Sequence, residues 1–464
     1  MSATKPSKPA NPDLERVVAT TEASRASLAH RLNELATTAG LHTRYTHTSW
    51  ANWITRGHNP QPEIRPLIAQ VLAERLGRPV TLREIGLEAD DSPESSIGLD
   101  FPRELPVAVQ VATRLWSRVD RRTFLTGSAM AVGAYIVPLR RWLTLPADPR
   151  ANSCSPEAFR RVGHSDVDEL VAAAEDARRW DSRYGGGHWR TSAITACLKE
   201  RAAPLLHGSY DDATGRRLFS ATAQLARLAG WTAFDNGDQA LAQRHYIQAL
   251  RLARAAGDLP LGGYVVSCMA LQASLRGFHS DAADMVDAAY HRTQHHASRR
   301  VRAFHKLIEA RVWARAGNSR AAAAALSRSE LLLDTAEHHT GDDPAWIDFF
   351  DHNRLAADAV EIHRDLGKPI EALTWNSLAN APIDAFGRSH ALREAVIATC
   401  HLQGRNPDLD RALHHTHHVV TALTCIRSAR TREYLDQVRL RLARWKYEPA
   451  VRHLEHRVRT ELAA

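Results

Sequence analysis

Apolar residues recur along this chain at helical rather than strand spacing. Between Ala26 and Ala39, the residues Leu28, Ala29, Leu32, Leu35 and Ala36 fall on one face. The stretch from Thr46 to Gly57 puts Trp50, Trp53 and Ile54 on an inward stripe, with Thr46 placed as an N-cap and Gly57 as a C-terminal stop. A first helix over Leu14–Thr21 precedes them. Pro60-Gln61-Pro62-Glu63 opens a fourth, carrying Ile64, Leu67, Ile68, Val71, Leu72 and Leu76. No segment sustains two-residue alternation, so the pattern predicts an all-α fold.

The C-terminal half repeats itself. A glycine followed five residues later by alanine occurs at Gly237/Ala242, Gly277/Ala282, Gly317/Ala322 and Gly367/Ala372, and Ala412 continues the series without a glycine. A period near 40 residues with glycine between helical patterns predicts stacked helical hairpins, an α-solenoid. In the first unit Gly230, Ala242, Tyr246 and Ala249 take the small, small, large aromatic and small positions of a tetratricopeptide repeat. Small residues there let helices approach, and the aromatic ring fills the groove between them.

Punctuation divides the chain into an arm at 1–12, a compact helix-turn-helix unit at 13–87, and a Pro/Ser/Gly-rich acidic linker at 88–106. Connecting helices follow at 107–150, and the helical repeat domain runs from 157 to 464. Within the connecting region, Arg121-Arg122-Thr123-Phe124-Leu125 and the apolar run to Leu139 imitate a twin-arginine leader. The run is short for a membrane span, which needs about 20 apolar residues, and it is broken by Pro138. It reads as a buried helix with arginine-rich ends, and with no apolar leader at the N-terminus the expected location is cytoplasmic, without a membrane partner.

Composition narrows the classes further. The 464 residues hold 60 Lys+Arg against 52 Asp+Glu, a formal charge of +8, and only six of the basic residues are lysines. An Arg/Ala excess of this kind follows codon usage in a GC-rich genome, so total charge is poor evidence for nucleic acid. Residues 13–87 carry nine basic and seven acidic residues, so most of the excess lies elsewhere. Five scattered cysteines without a CxxC pair fit reduced thiols rather than a disulfide scaffold.

The chemistry concentrates on the Thr46–Gly57 helix. Its outward face is His47, Thr48, Ser49, Asn52, Thr55 and Arg56, with Arg44 just before it, and no acidic residue occurs from Leu41 to Gln61. A solvated helix with no ligand ordinarily carries Glu/Lys pairs. This one carries short hydrogen-bonding side chains that suit a major groove: Asn pairs with adenine edges, Arg with guanine or phosphate, Ser and Thr with either.

Ser27-Leu28-Ala29-His30-Arg31-Leu32-Asn33, Arg44-Tyr45-Thr46-His47-Thr48, Trp53, Gly57, Pro60, Ile68-Ala69 and Leu76-Gly77-Arg78-Pro79-Val80-Thr81 with Ile85-Gly86-Leu87 resemble Cro/C1-type (XRE-like) helix-turn-helix regulators. More narrowly, the chain resembles the actinobacterial members that fuse this domain to a tetratricopeptide-like region. That likeness continues through Asp120–Leu125, Asp181–His188 and Ala229–Leu250, and weakens after about residue 330. It implies a transcriptional regulator that is not an enzyme, binds double-stranded DNA as a homodimer through Arg44, His47, Thr48, Ser49, Asn52, Thr55 and Arg56, and takes a peptide, small-molecule or protein effector on its repeat domain.

Competing signals are weaker. His414 and His418, like His291 and His295, lie one helical turn apart, but 25 histidines produce such pairs by chance, and no metal or cofactor is assigned. Gly185-Gly186-Gly187 lacks the Gly-Lys-Ser/Thr of a phosphate loop and reads as a turn. Arg427–Arg459, with ten basic and four acidic residues, reads as a solvated helical face. The rival functional class is a protein-binding scaffold whose N-terminal unit does not read DNA. A metal-dependent hydrolase would rest on the histidines alone.

Overall fold

A computed structural model describes residues 10–38, 41, 44–61, 63–76, 78, 80–82, 84–87, 96–118, 130–153, 160–185, 189–337, 343–379 and 386–462. It is all-helical: no strand occurs among the described residues, only isolated bridges between Ser153 and Tyr210 and between Arg161 and Ser209. The contacts divide the chain into two units, one of residues 1–96 with 122–129 and one of 97–121 with 130–464.

The smaller unit contains α1 (Pro12–Thr20), α2 (Arg25–Thr38), α3 (His47–Thr55) and α4 (Arg65–Leu76). Helix α1 begins at Pro12 because the Asn11 side chain accepts a hydrogen bond from the Leu14 N–H at 2.9 Å. Residues 10–12 are therefore placed, while residues 1–9 of the expected arm lie outside the described residues. Leu14, Val17, Leu28, Leu32, Ile68 and Leu72 close around Trp50, Trp53 and Ile54 in one core. The helical stripes read from the sequence face inward here, Leu35, Leu67 and Leu76 being half-buried at the rim.

The larger unit opens with α5 (Leu105–Arg118), α6 (Ile136–Thr144), α7 (His164–Tyr184) and α8 (Trp189–Cys197), the last continuing through a π turn at Leu198–Ala202 into α9 (Ala203–Leu206). Five helix pairs follow. They are α10 (Asp212–Asp235) with α11 (Gln239–Ala256), α12 (Leu259–Leu275) with α13 (His279–Thr293), and α14 (Arg299–Arg315) with α15 (Ser319–Glu337). Next come α16 (His352–Asp365) with α17 (Pro369–Asn376) and α18 (Gly387–Gln403) with α19 (Leu409–Leu423), and then α20 (Ala429–Leu442) and α21 (Pro449–Glu461). The first helices also pack in sequence, α10 on α12, α12 on α14, α14 on α16 and α16 on α18, forming a continuous row.

The periodic residues explain this order. Gly237, Gly277, Gly317 and Gly367 sit in the turns of the first four pairs with φ of +87°, +90°, +75° and +68°, a left-handed conformation that favours glycine. Ala242, Ala282, Ala322, Ala372 and Ala412 are all fully buried. The fifth turn has no left-handed glycine; Asp408 caps α19 instead, accepting from the Arg411 N–H at 3.0 Å.

Two stretches differ from the sequence reading. Residues 97–103, in the second half of the stretch read as linker, are held along α11 by carbonyl capture. Arg244 donates to the Ile97 carbonyl (3.0 Å), Gln248 to those of Gly98 (2.8 Å) and Asp100 (2.9 Å), and Arg251 to that of Pro102 (2.6 Å). The leader-like run is one-sided rather than wholly buried: Tyr135 and Pro138 are enclosed, whereas Ile136 and Val137 are exposed. Its Arg121–Ala129 portion lies outside the described residues. No helix among the described residues is long and apolar enough to cross a membrane.

Candidate functional site

Helix α3 is held by its apolar stripe and by its ends. Trp50 and Trp53 pack at 5.5 Å between ring centroids, and Tyr45 meets Trp53 edge-on at 5.2 Å. The Asn33 amide clamps the approach to the helix, donating to the Tyr45 carbonyl and accepting from the Tyr45 N–H, both at 2.8 Å. At the other end the Asn11 N–H donates to the Ile54 carbonyl at 2.8 Å, and the Asn11 amide donates to that of Ile85 at 3.0 Å. One residue thus ties α1, α3 and the segment after α4 together. Asn11 was not singled out by periodicity, since a capping side chain leaves no mark on it. Gly57 takes φ +59° just past the helix, consistent with its reading as a stop.

The residues expected to meet DNA are all placed. Arg44, Thr48, His47, Thr55 and Arg56 are exposed, while Ser49 and Asn52 are half-buried. Two hydroxyls are engaged locally: Ser49 Oγ accepts from the Thr46 N–H (3.2 Å), and Thr55 donates to the Ala51 carbonyl (2.7 Å). Thr48 Oγ1 lies 3.3 Å from His47 Nε2. The arginines divide into two groups. Arg16 pairs with Asp13 (2.8 Å), Arg31 with Glu34 and Glu74 (both 2.8 Å), and Arg78 with Glu84 (2.6 Å). Arg44 and Arg56 make no ion pair or side-chain hydrogen bond among the described residues. Guanidiniums left unneutralised beside an acid-free helix are available to an anionic partner such as a phosphate backbone.

The larger unit contains a cleft with about 670 Å³ of free space, part of it open to solvent. Its walls include Trp231, Tyr264, Phe304 and Phe349, and five arginines reach it: Arg178, Arg227, Arg311, Arg354 and Arg388. Four of these have carboxylate partners. Arg178 meets Asp348 (2.6 Å), Arg311 meets Asp358 (2.8 Å) and Glu361 (2.6 Å), Arg354 meets Asp358 (2.6 Å), and Arg388 meets Asp181 (3.2 Å) and Asp235 (3.3 Å).

Arg227, only 6% exposed, has no ion pair among the described residues; its guanidinium lies 5.0 Å from the Tyr264 ring centroid. Burial pushes the Asp181 carboxyl up in spite of Arg388, and Asp181 Oδ1 has no hydrogen-bond partner among the described residues. Burial also pushes the Cys268 thiol, beside Arg227, up to about 11. A buried guanidinium with no direct ion pair among the described residues, in an aromatic-walled cleft, suits a ligand with an anionic group and an apolar body, and the open Asp181 oxygen suits a hydrogen-bond donor on it. No sequence pattern marks this cleft, because its walls come from helices spread over some two hundred residues.

The expected chance histidine pairs and the glycine turn are also placed in part. His291 meets Asp287 at 3.3 Å on the exposed face of α13. Gly185 ends α7 with φ +82°, while Gly186–His188 lie outside the described residues. In the basic C-terminal stretch, Arg439 pairs with Glu455 (2.6 Å) and Arg457 with Glu461 (2.7 Å).

The chain matches no curated protein and no solved structure. The model of one protein family, described as the SP15 N-terminal domain, matches residues 14–88, the stretch that forms the smaller helical unit.

Proposed function

We propose that this chain is a sequence-specific DNA-binding transcriptional regulator of the XRE-like kind, acting in the cytoplasm. On this reading residues 13–87 are a helix-turn-helix domain and α3 is its recognition helix. The observation that carries it is the pair Arg44 and Arg56, exposed and without ion pairs, flanking a polar helix free of acids whose opposite face is locked by Trp50, Trp53 and Ile54. Arg44 and Arg56 contact phosphate or guanine. His47, Thr48 and Asn52 lie nearest the base edges, and Ser49 and Thr55, whose hydroxyls serve the helix itself, supply shape and secondary contacts.

One such helix reads only a few base pairs, so the functional form is a homodimer on paired half-sites. The paired helices of the larger unit are read as a tetratricopeptide-like solenoid, supported by the left-handed glycine turns and buried alanines at matching places. Its cleft takes the effector, with Arg227 as the anion contact. Selection of bound duplexes from a random DNA library tests the reading. Recovery of a two-fold related motif supports it, and recovery of unenriched sequence from a folded protein contradicts it.

A further inference from the structure

The histidine-rich run of α19 faces α18, and two of its histidines, about one helical turn apart, converge on one carboxylate. His415 Nδ1 lies 2.9 Å and His418 Nδ1 3.1 Å from the same oxygen, Oε2 of Glu394. The three ligand atoms all fall within 4.8 Å of one another. His390, one turn before Glu394 on α18, brings its Nε2 to 3.8 Å from Oε1. The pair selected is not the one that helical spacing suggests: His414 stacks edge-on against His418, at 4.3 Å between centroids, and is not one of the three.

The geometry points to a divalent transition-metal site, zinc by donor type, held by Glu394, His415 and His418 with His390 or water completing the shell. Bonds of about 2.0–2.2 Å in a tetrahedral shell set donor atoms roughly 3.3–3.5 Å apart; the two His–Glu separations, 2.9 and 3.1 Å, are hydrogen-bond lengths that would open by a few tenths of an ångström around an ion. Two imidazoles and a carboxylate are the donor set of known three-ligand zinc sites.

The carboxylate is 7% exposed, and its position between two helices is already fixed. His401 stacks on His415 with rings 5.5 Å apart and 9° from parallel, restraining that ring. A bound ion would join α18 to α19, the pair whose turn lacks the left-handed glycine of the other four. This inference does not depend on the DNA-binding reading.

The test titrates ZnCl2 into the full chain after dialysis against chelator, following binding by calorimetry and bound metal by elemental analysis. The expectation is one zinc per chain, a raised melting temperature, and Co2+ giving the visible absorption of a tetrahedral site. His418→Ala changes a half-exposed side chain, and Glu394→Gln keeps the shape of the acid. Each weakens binding at least tenfold, while His414→Ala leaves it unchanged. No zinc retained by the wild-type chain, or equal binding by His418→Ala and Glu394→Gln, overturns the site. So does a loss in His414→Ala as large as in His418→Ala.

Discussion

Gly230 of α10 lies so close to Tyr246 of α11 that a Cβ added to it would come within 2.6 Å of the ring carbon Cδ1. Tyr246 is fully buried, and its ring occupies the space that a side chain at 230 would need. Gly230→Ala should therefore destabilise the larger unit by about 1–3 kcal/mol through overpacking. Gly133, with nothing within 4 Å of an added Cβ, should tolerate alanine with roughly 0.5 kcal/mol or less of change. Urea unfolding of the two variants compares them directly. Tyr246→Leu should recover part of the loss in Gly230→Ala, and additive losses would contradict the contact.

The two kinds of cleft arginine should respond in opposite ways. Arg227 has no ion pair among the described residues, so Arg227→Met should leave stability unchanged or raise it. Arg311→Met strands Asp358 and Glu361 without the partner that holds them at 2.8 and 2.6 Å, and should cost about 3–5 kcal/mol. Chemical denaturation at pH 7 distinguishes them. An equal loss in both would show that Arg227 has a counter-ion.

Two buried histidines set an acid limit. Burial holds His245 down at about 4 and His305 at about 3, against an ordinary 6.5. Both are neutral when folded and bind protons more readily when unfolded. Their contribution is therefore intact above pH 6.5 and is lost as pH falls from there toward 4 and 3. At pH 5 the loss is roughly 2 kcal/mol per histidine. Stability measured at pH 7 and pH 5 should fall accordingly, and His305→Gln should reduce the difference. A pH-independent midpoint in the wild-type chain would contradict their neutral burial.

Asn11→Ala removes the α1 cap and the bond to the Ile85 carbonyl together. A loss of about 1–2 kcal/mol is expected, and amide exchange along α3 should quicken because its C-terminal carbonyl partner is less firmly held. Unchanged exchange at Trp53 and Ile54 would mean that Asn11 does not position the helix.

Helical class and the inward stripes were legible because each depends on local spacing, as Trp50, Trp53 and Ile54 illustrate. The glycine period was legible for the same reason: a left-handed turn needs glycine wherever it recurs, as at Gly237 and Gly277. What was hidden depends on distant pairing. Arg244 and Arg251 read as part of an uninformative arginine excess, yet they are buried donors to the backbone of residues 97–103. The arginines of the cleft and the Glu394 partner of His415 are likewise brought together only by stacking of helices. On the helix read from Thr46 to Gly57, exposure of His47, Thr48 and Arg56 followed from the stripe. The local use of the Ser49 and Thr55 hydroxyls did not, since each follows from the backbone of the folded helix.

The DNA-binding proposal requires that α3 read base pairs. Fluorescence anisotropy on a selected duplex and a scrambled one, across a salt series, tests it in the full chain and in the variants Asn52→Ala and Arg56→Ala. Asn52→Ala should cost about 1–3 kcal/mol on the selected duplex and relax discrimination at one position. Arg56→Ala should either weaken both duplexes alike and lower the salt slope by about 1, as a phosphate contact would, or lose the preference for guanine. Equal affinity of the wild-type chain for both duplexes, or no change in either variant, would contradict the proposal.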